Sequence, residues 1–115
     1  MQSKAFGCLG LCARAGKTAS GEFQTENAIK SGRACLVLIA GDASENTKKH
    51  FRDMCGFAEI PFLIIADRES LGRAIGKEFR ASCAVTDENL AKAFLKAYRQ
   101  EEDHKEIVNG KNQGT

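Results

Sequence analysis

The chain has 115 residues, 43% of them hydrophobic and 28% charged, with a formal net charge of +2. Those values describe one soluble globular domain with no room for a second core, and they exclude a disordered or fibrous chain. No apolar run approaches the ~20 residues of a membrane helix, and the early stretch MQSKAFGCLGLCARAGK is too short and glycine-broken for a secretory signal, so a cytoplasmic protein without membrane contact is expected.

A helix is predicted over Lys4–Ala15, with Phe6, Leu9 and Ala13 on one face. The following GKTAS leaves room for a short strand. A second helix, Gly21–Ser31, ends at Gly32. Its Thr25, Ala28, Ile29 and Gly32 share one side at 100° per residue. ACLVLIA (Ala34–Ala40) and IPFLIIA (Ile60–Ala66) are continuous apolar runs, the pattern of strands buried on both faces, and SCAV (Ser82–Val85) is a shorter third. The single proline, Pro61, stands where a strand opens. Asp42 or Ser44 caps a helix whose Thr47, Phe51, Met54, Cys55 and Ala58 point inward. Asp67 precedes RESLGRAIG, with Leu71, Ala74 and Ile75 inward and Gly76 as the stop. Asp87 caps ENLAKAFLKAYRQ, where Leu90, Phe94, Ala97 and Tyr98 form the stripe. After about Gln100 the periodicity ends, and residues 101–115 are expected to be a polar, flexible tail behind a single domain of residues 1–100. Alternating helices and strands imply an α/β fold, a three-layer α/β/α sandwich around a small central sheet.

GLCARAGKT, from Gly10 to Thr18, has the look of a nucleotide-phosphate loop. Such a loop needs four residues between its first glycine and the Gly-Lys-Thr, and it must follow a buried strand and open a helix. Here five residues intervene, and a helical pattern precedes Gly16. Gly16 reads more simply as a helix stop followed by a basic turn. The five cysteines include no CxxC pair, and the two histidines, His50 and His104, sit in polar surroundings. The cysteines are therefore read as small buried hydrophobes, with neither metal nor cofactor expected. No Ser–His–Asp, Cys–His or paired-carboxylate set emerges, so the chain is not expected to be an enzyme.

Charge is unevenly placed. The last fifteen residues carry a net −2, which leaves +4 on residues 1–100. Residues 1–33 hold Lys4, Arg14, Lys17, Lys30 and Arg33 against Glu22 and Glu26, and Arg73, Lys77 and Arg80 form a second cluster. Such a face suits RNA or another phosphate-bearing partner, or is an ordinary solvated surface. On the second helix Ser20, Gln24, Asn27 and Ser31 line an outer edge with Phe23 beside them. Amides spaced this way match base edges, and they match a plain polar face equally.

GKTASGEFQTENAIKSGRACLVLIAGDAS and IPFLIIADRESLGRAIGKEFRASCAV together resemble the kink-turn-binding ribosomal protein superfamily of the L7Ae type, in particular its small bacterial YlxQ-like branch. The resemblance covers about residues 4–98. Its most specific parts are AGK–x–x–SGE, AI–x–SG–x–A–x–LVLIA–x–DAS and LG–x–AIGKE. It implies the same sandwich, and a function in binding RNA that bends sharply at tandem sheared G·A pairs. In the family the second helix begins Gly–x–Asn–Glu–x–x–Lys, or with Lys–Gln replacing Asn–Glu in bacterial relatives. Gly21 matches the glycine and Gln24 the bacterial glutamine. Phe23 departs from the Asn/Lys position, and Asn27 keeps a donor but loses the lysine charge, which weakens the salt-dependent part of binding. Lys30, one turn on, stands as its partial replacement. The second family contact is the loop Gly76–Ala81, here Lys77, Glu78, Phe79 and Arg80. Phe79 either stacks on an extruded base or folds back on the sheet edge. Lys17 and Arg33 flank the helix as phosphate contacts or as solvated charges.

The resulting expectation is a non-catalytic RNA-binding protein, ribosomal or ribosome-associated. The rival is a protein-interaction module on the same fold, its RNA face repurposed into a Phe23–Phe79 docking patch.

Overall fold

The computed structural model describes residues 3–113, with side chains described through Glu101. The elements follow in the order α1 (Lys4–Arg14), β1 (Thr18–Ser20), α2 (Glu22–Lys30), β2 (Leu36–Ala40), α3 (Glu45–Ala58), β3 (Phe62–Ile65), α4 (Arg68–Ala74), β4 (Ser82–Val85) and α5 (Glu88–Gln113). The sheet order is β1-β4-β2-β3. β2 runs parallel to β3, with Val37 opposite Phe62, and antiparallel to β4, with Leu38 opposite Cys83. β1 joins the far edge antiparallel to β4, Thr18 facing Val85. The sheet is therefore mixed, and GKTAS does supply a short strand.

Alternation along the strands divides the core in two. Leu36, Leu38, Ala40, Cys83 and Val85 face α1, α4 and α5, where they meet Leu9, Leu71 and Phe94. Val37, Ile39 and Ala84 face α2 and α3, where they meet Ile29, Phe51 and Cys55. This is the expected α/β/α sandwich, with three helices on one side and two on the other. β2, in the sheet interior, is buried along its whole length.

Two expectations need correction. β3 is an edge strand, not one buried on both faces, and Ile64 is exposed, because the sheet order gives β3 a neighbour on one side only. Arg52 sits over the Phe62 ring there, 5.9 Å from its centroid. Ala58 is exposed, since α3 ends there and Glu59 turns away in the left-handed region. Of the two candidate caps for α3, Ser44 does the work, accepting from Thr47 N at 3.1 Å. Asp42 instead accepts from the Arg68 N–H of α4 at 2.9 Å. The helix α5 runs on to Gln113, past Gln100 where the apolar stripe stops. Loss of the stripe removes a packing face, while the Glu- and Lys-rich sequence keeps its helix propensity.

Cys12, Cys55 and Cys83 are buried and Cys8 and Cys35 half-buried, all as free thiols. Burial pushes the Cys12 and Cys55 thiols up to about 11 and Cys83 up to about 12, which keeps them protonated and inert. Among the described residues no group of His, Cys, Asp or Glu is arranged to hold a metal ion, and no helix is long and apolar enough to cross a membrane.

Asp67 caps α4 as expected, accepting from Ser70 N at 2.7 Å. That backbone hydrogen bond holds the Asp67 carboxyl below the usual carboxylate range. The ionised cap therefore stabilises the fold above the unfolded carboxylate pKa, about 4, and the contribution is lost as pH falls through the lower folded value. Asp67→Asn is expected to flatten this part of the acid limb while leaving neutral-pH stability almost unchanged, read as melting temperature against pH. An acid limb identical to wild type would mean the cap does not titrate with folding.

Candidate nucleic-acid interface

Where β1 passes into α2, the chain turns through Gly21 at φ 92° and ψ 159°, a conformation closed to residues with a Cβ. The Gly21 N–H donates to Ser82 O at 3.0 Å, so the helix starts directly from the sheet edge. No side chain caps α2, in contrast to α1, α3 and α4, and its first-turn N–H groups stay open. Phe23, Gln24 and Asn27 are exposed on this helix, Phe23 by 73%. On the inner side Thr25 is fully buried, its Oγ1 3.1 Å from Ser82 Oγ and 3.3 Å from the Ala19 carbonyl.

The loop from Gly76 to Ala81 lies beside this helix start. Arg80 joins the two: its Nε donates to Ser20 Oγ at 3.1 Å and its Nη1 to the Phe79 carbonyl at 2.9 Å. Phe79 does not fold back on the sheet edge. It is 65% exposed, between two shallow hollows formed with Asp42, Arg68 and Glu69 on one side and Arg73 and Lys77 on the other. The loop is held against α4 by Lys77 N donating to Gly72 O at 2.8 Å and Arg80 N donating to Arg68 O at 3.1 Å. Gly72 makes this approach possible, since a Cβ there would lie 1.4 Å from Glu78 O.

Of the residues expected to form the site, Ser20, Gln24, Lys77 and Arg80 line one open groove of about 560 Å³, with Arg33 on its wall. Phe79 follows on the same loop, Gly21 forms the helix cap and Lys17 is exposed just ahead of β1. Phe23, Asn27 and Lys30 are exposed on α2 but do not line the groove. Lys30 reaches Glu26 at 4.0 Å, and Glu26 also pairs with His50 of α3, so the charge next to Asn27 is partly spent. Phe23 lies on α2 and Phe79 on the loop, and among the described residues no ring contact links them. Gly72 was missed in the sequence; a glycine inside a helical pattern was the signal that marked it. Lys17, Arg33, Lys77 and Arg80 form no ion pair among the described residues, whereas Lys48, Lys49, Arg68 and Lys92 are each matched by an acid. Unpaired cations around an uncapped helix start suit a polyanion.

The model of the ribosomal protein L7Ae/L30e/S12e/Gadd45 family matches residues 4–96. The chain is 43% identical over 90 residues to the RNA-binding protein YlxQ of Bacillus subtilis, covering 78% of this chain and 90% of the relative. It is 36% identical to the RNA-binding protein YlxQ of Enterococcus faecium, covering 79% and 87%. A Bacillus halodurans protein of unknown function superposes with a TM-score of 0.81 at 36% identity, over 84% of this chain and 97% of the other. A Giardia lamblia 15.5kD RNA binding protein shares the fold, with a TM-score of 0.71 at 18% identity over 86% and 92% of the two chains. With the model matched along most of its length and such relatives beside it, the chain belongs to the ribosomal protein L7Ae/L30e/S12e/Gadd45 family.

Proposed function

We propose that the protein binds structured RNA of the kink-turn kind, without catalysis, as a cytoplasmic ribosomal or ribosome-associated component. The observation that carries this is the Arg80–Ser20 hydrogen bond, which fixes the start of α2 and the Phe79 loop on either side of one groove. The names of the bacterial YlxQ relatives, as RNA-binding proteins, support the same reading. In this reading Gln24 and Asn27 hydrogen-bond base edges, with Phe23 alongside. The open N–H groups after Gly21 meet the backbone. Phe79 stacks on a nucleotide turned out of the helix. Lys17, Lys30, Lys77 and Arg80 attract phosphates, and Glu78 is exposed in the same loop with its carbonyl against Gly72 of α4. The protein stabilises the bent RNA by binding it better than the extended form, a population shift that needs no chemistry.

The test is binding of a fluorescently labelled kink-turn RNA and of a matched duplex lacking the G·A pairs, at two salt concentrations. Wild type is expected to prefer the kink-turn. Gln24→Ala and Phe79→Ala are each expected to weaken that binding about tenfold while leaving the duplex unaffected. Equal, weak, salt-sensitive binding to both RNAs would sink the proposal and favour the protein-docking reading, for which the exposed Phe23 is the starting observation.

A further inference from the structure

The groove beside α2 does not end at the Phe79 loop. At Ala13, Ile75 and Gly76 it meets a second hollow, and through Gly10, Arg14 and Ala74 that hollow runs into a cleft of about 420 Å³ between α1 and α4. Gly10 sets the width of the cleft: a Cβ there would lie 3.2 Å from Ala74 O, so the two helices approach closely. Arg33, Arg80, Lys77, Arg14 and Arg73 stand along this continuous channel, and no acid lines it. Arg73 is paired with Glu69, which lines the hollows by Phe79 instead. Arg14 has no ion-pair partner among the described residues. A row of five cations, four of them without an ion-pair partner among the described residues, along a channel open to solvent fits a chain of phosphates.

We propose that the α1–α4 cleft is a second RNA-backbone track, in which Arg14 and Arg73 hold phosphates of a stem that leaves the bend. This rests on the kink-turn reading for the first contact and adds a separate one. It predicts that affinity depends on RNA length on one side of the bend.

Three RNAs test it: a minimal kink-turn, and two others in which one or the other flanking stem is extended by a helical turn. The wild-type protein is expected to bind one extended RNA about five- to tenfold more tightly than the minimal one, with a salt dependence steeper by about one to two phosphates. Arg14→Gln combined with Arg73→Gln is expected to abolish that gain and leave the minimal RNA bound as before. Gly7→Glu puts a carboxylate in the cleft at a helical position where an added Cβ meets nothing within 4 Å, and it is expected to do the same without disturbing the fold. If the minimal RNA binds but neither extension helps, or the gain survives in both variants, the cleft is not a track and the kink-turn reading stands. If wild type binds none of the three, both readings fall.

Discussion

Gly72→Ala is expected to destabilise the protein by about 2–4 kcal/mol and to lower RNA affinity further than the loss of any one contact side chain. In an open helix the same change stabilises by up to about 1 kcal/mol, because alanine is the better helix former. Here the added methyl would lie 1.4 Å from Glu78 O and 2.6 Å from Glu78 C. Those are backbone atoms, which cannot swing away as the end of a side chain can. The loop must lift off α4, giving up the Lys77-to-Gly72 and Arg80-to-Arg68 hydrogen bonds, worth about 0.5–1.5 kcal/mol each, on top of about 1–3 kcal/mol for overpacking. Arg80 then moves off Ser20, and the two halves of the groove separate. Urea unfolding checks the first claim. Gly56→Ala is the control, in α3, where an added Cβ meets nothing within 4 Å and a small gain is expected. Equal behaviour of the two variants would show that the loop does not depend on the close approach at Gly72.

This coupling explains why the Phe79 loop can be exposed and still be well placed. Its Lys77, Glu78 and Phe79 side chains face solvent, but its backbone is tied to α4 at Arg68 and Gly72, and the Arg80 side chain ties it to β1 at Ser20. A loop held by its main chain keeps the geometry a binding site needs while leaving its side chains free to meet a partner.

Local signals proved the most readable part of the chain. Ser44, Asp67 and Asp87 act as the caps their positions suggested, and Gly76 ends α4 at φ 75°. The helical stripes through Leu9, Phe51, Leu71 and Phe94 are the core. What depends on the path of distant segments was not readable. IPFLIIA looks as apolar as ACLVLIA, but only the sheet order makes β3 an edge. Asp42 lies just ahead of α3 in sequence but reaches Arg68 of α4, because the parallel pairing of β2 and β3 brings their C-terminal ends together. The site divides the same way. Gln24 and Arg80 were recognisable as candidates from a family pattern. That they line one groove follows from β1 pairing with β4, and that Arg14 and Arg73 share a cleft follows from α1 packing on α4.

Thr25 and Ser82 are the other place where distant residues fix the site, 57 positions apart and both buried. A hydroxyl has one proton, so Thr25 can donate to Ala19 O while accepting from Ser82, which satisfies both side chains. This small network holds α2, with Gln24 and Asn27, against β1 and β4. Thr25→Val keeps the shape and removes the hydroxyl, leaving that of Ser82 buried without a partner. The expected cost is about 2 kcal/mol, the desolvation penalty of one unsatisfied buried group. Adding Ser82→Ala removes the stranded hydroxyl, so the double variant is expected to be more stable than Thr25→Val alone. Denaturant unfolding of the four proteins gives the coupling directly. If the two changes simply add, the hydroxyls do not act as a pair. If the double variant recovers stability together with RNA binding, the pair's role is to seat α2 on the sheet, and its polarity is needed only because the first hydroxyl obliges the second.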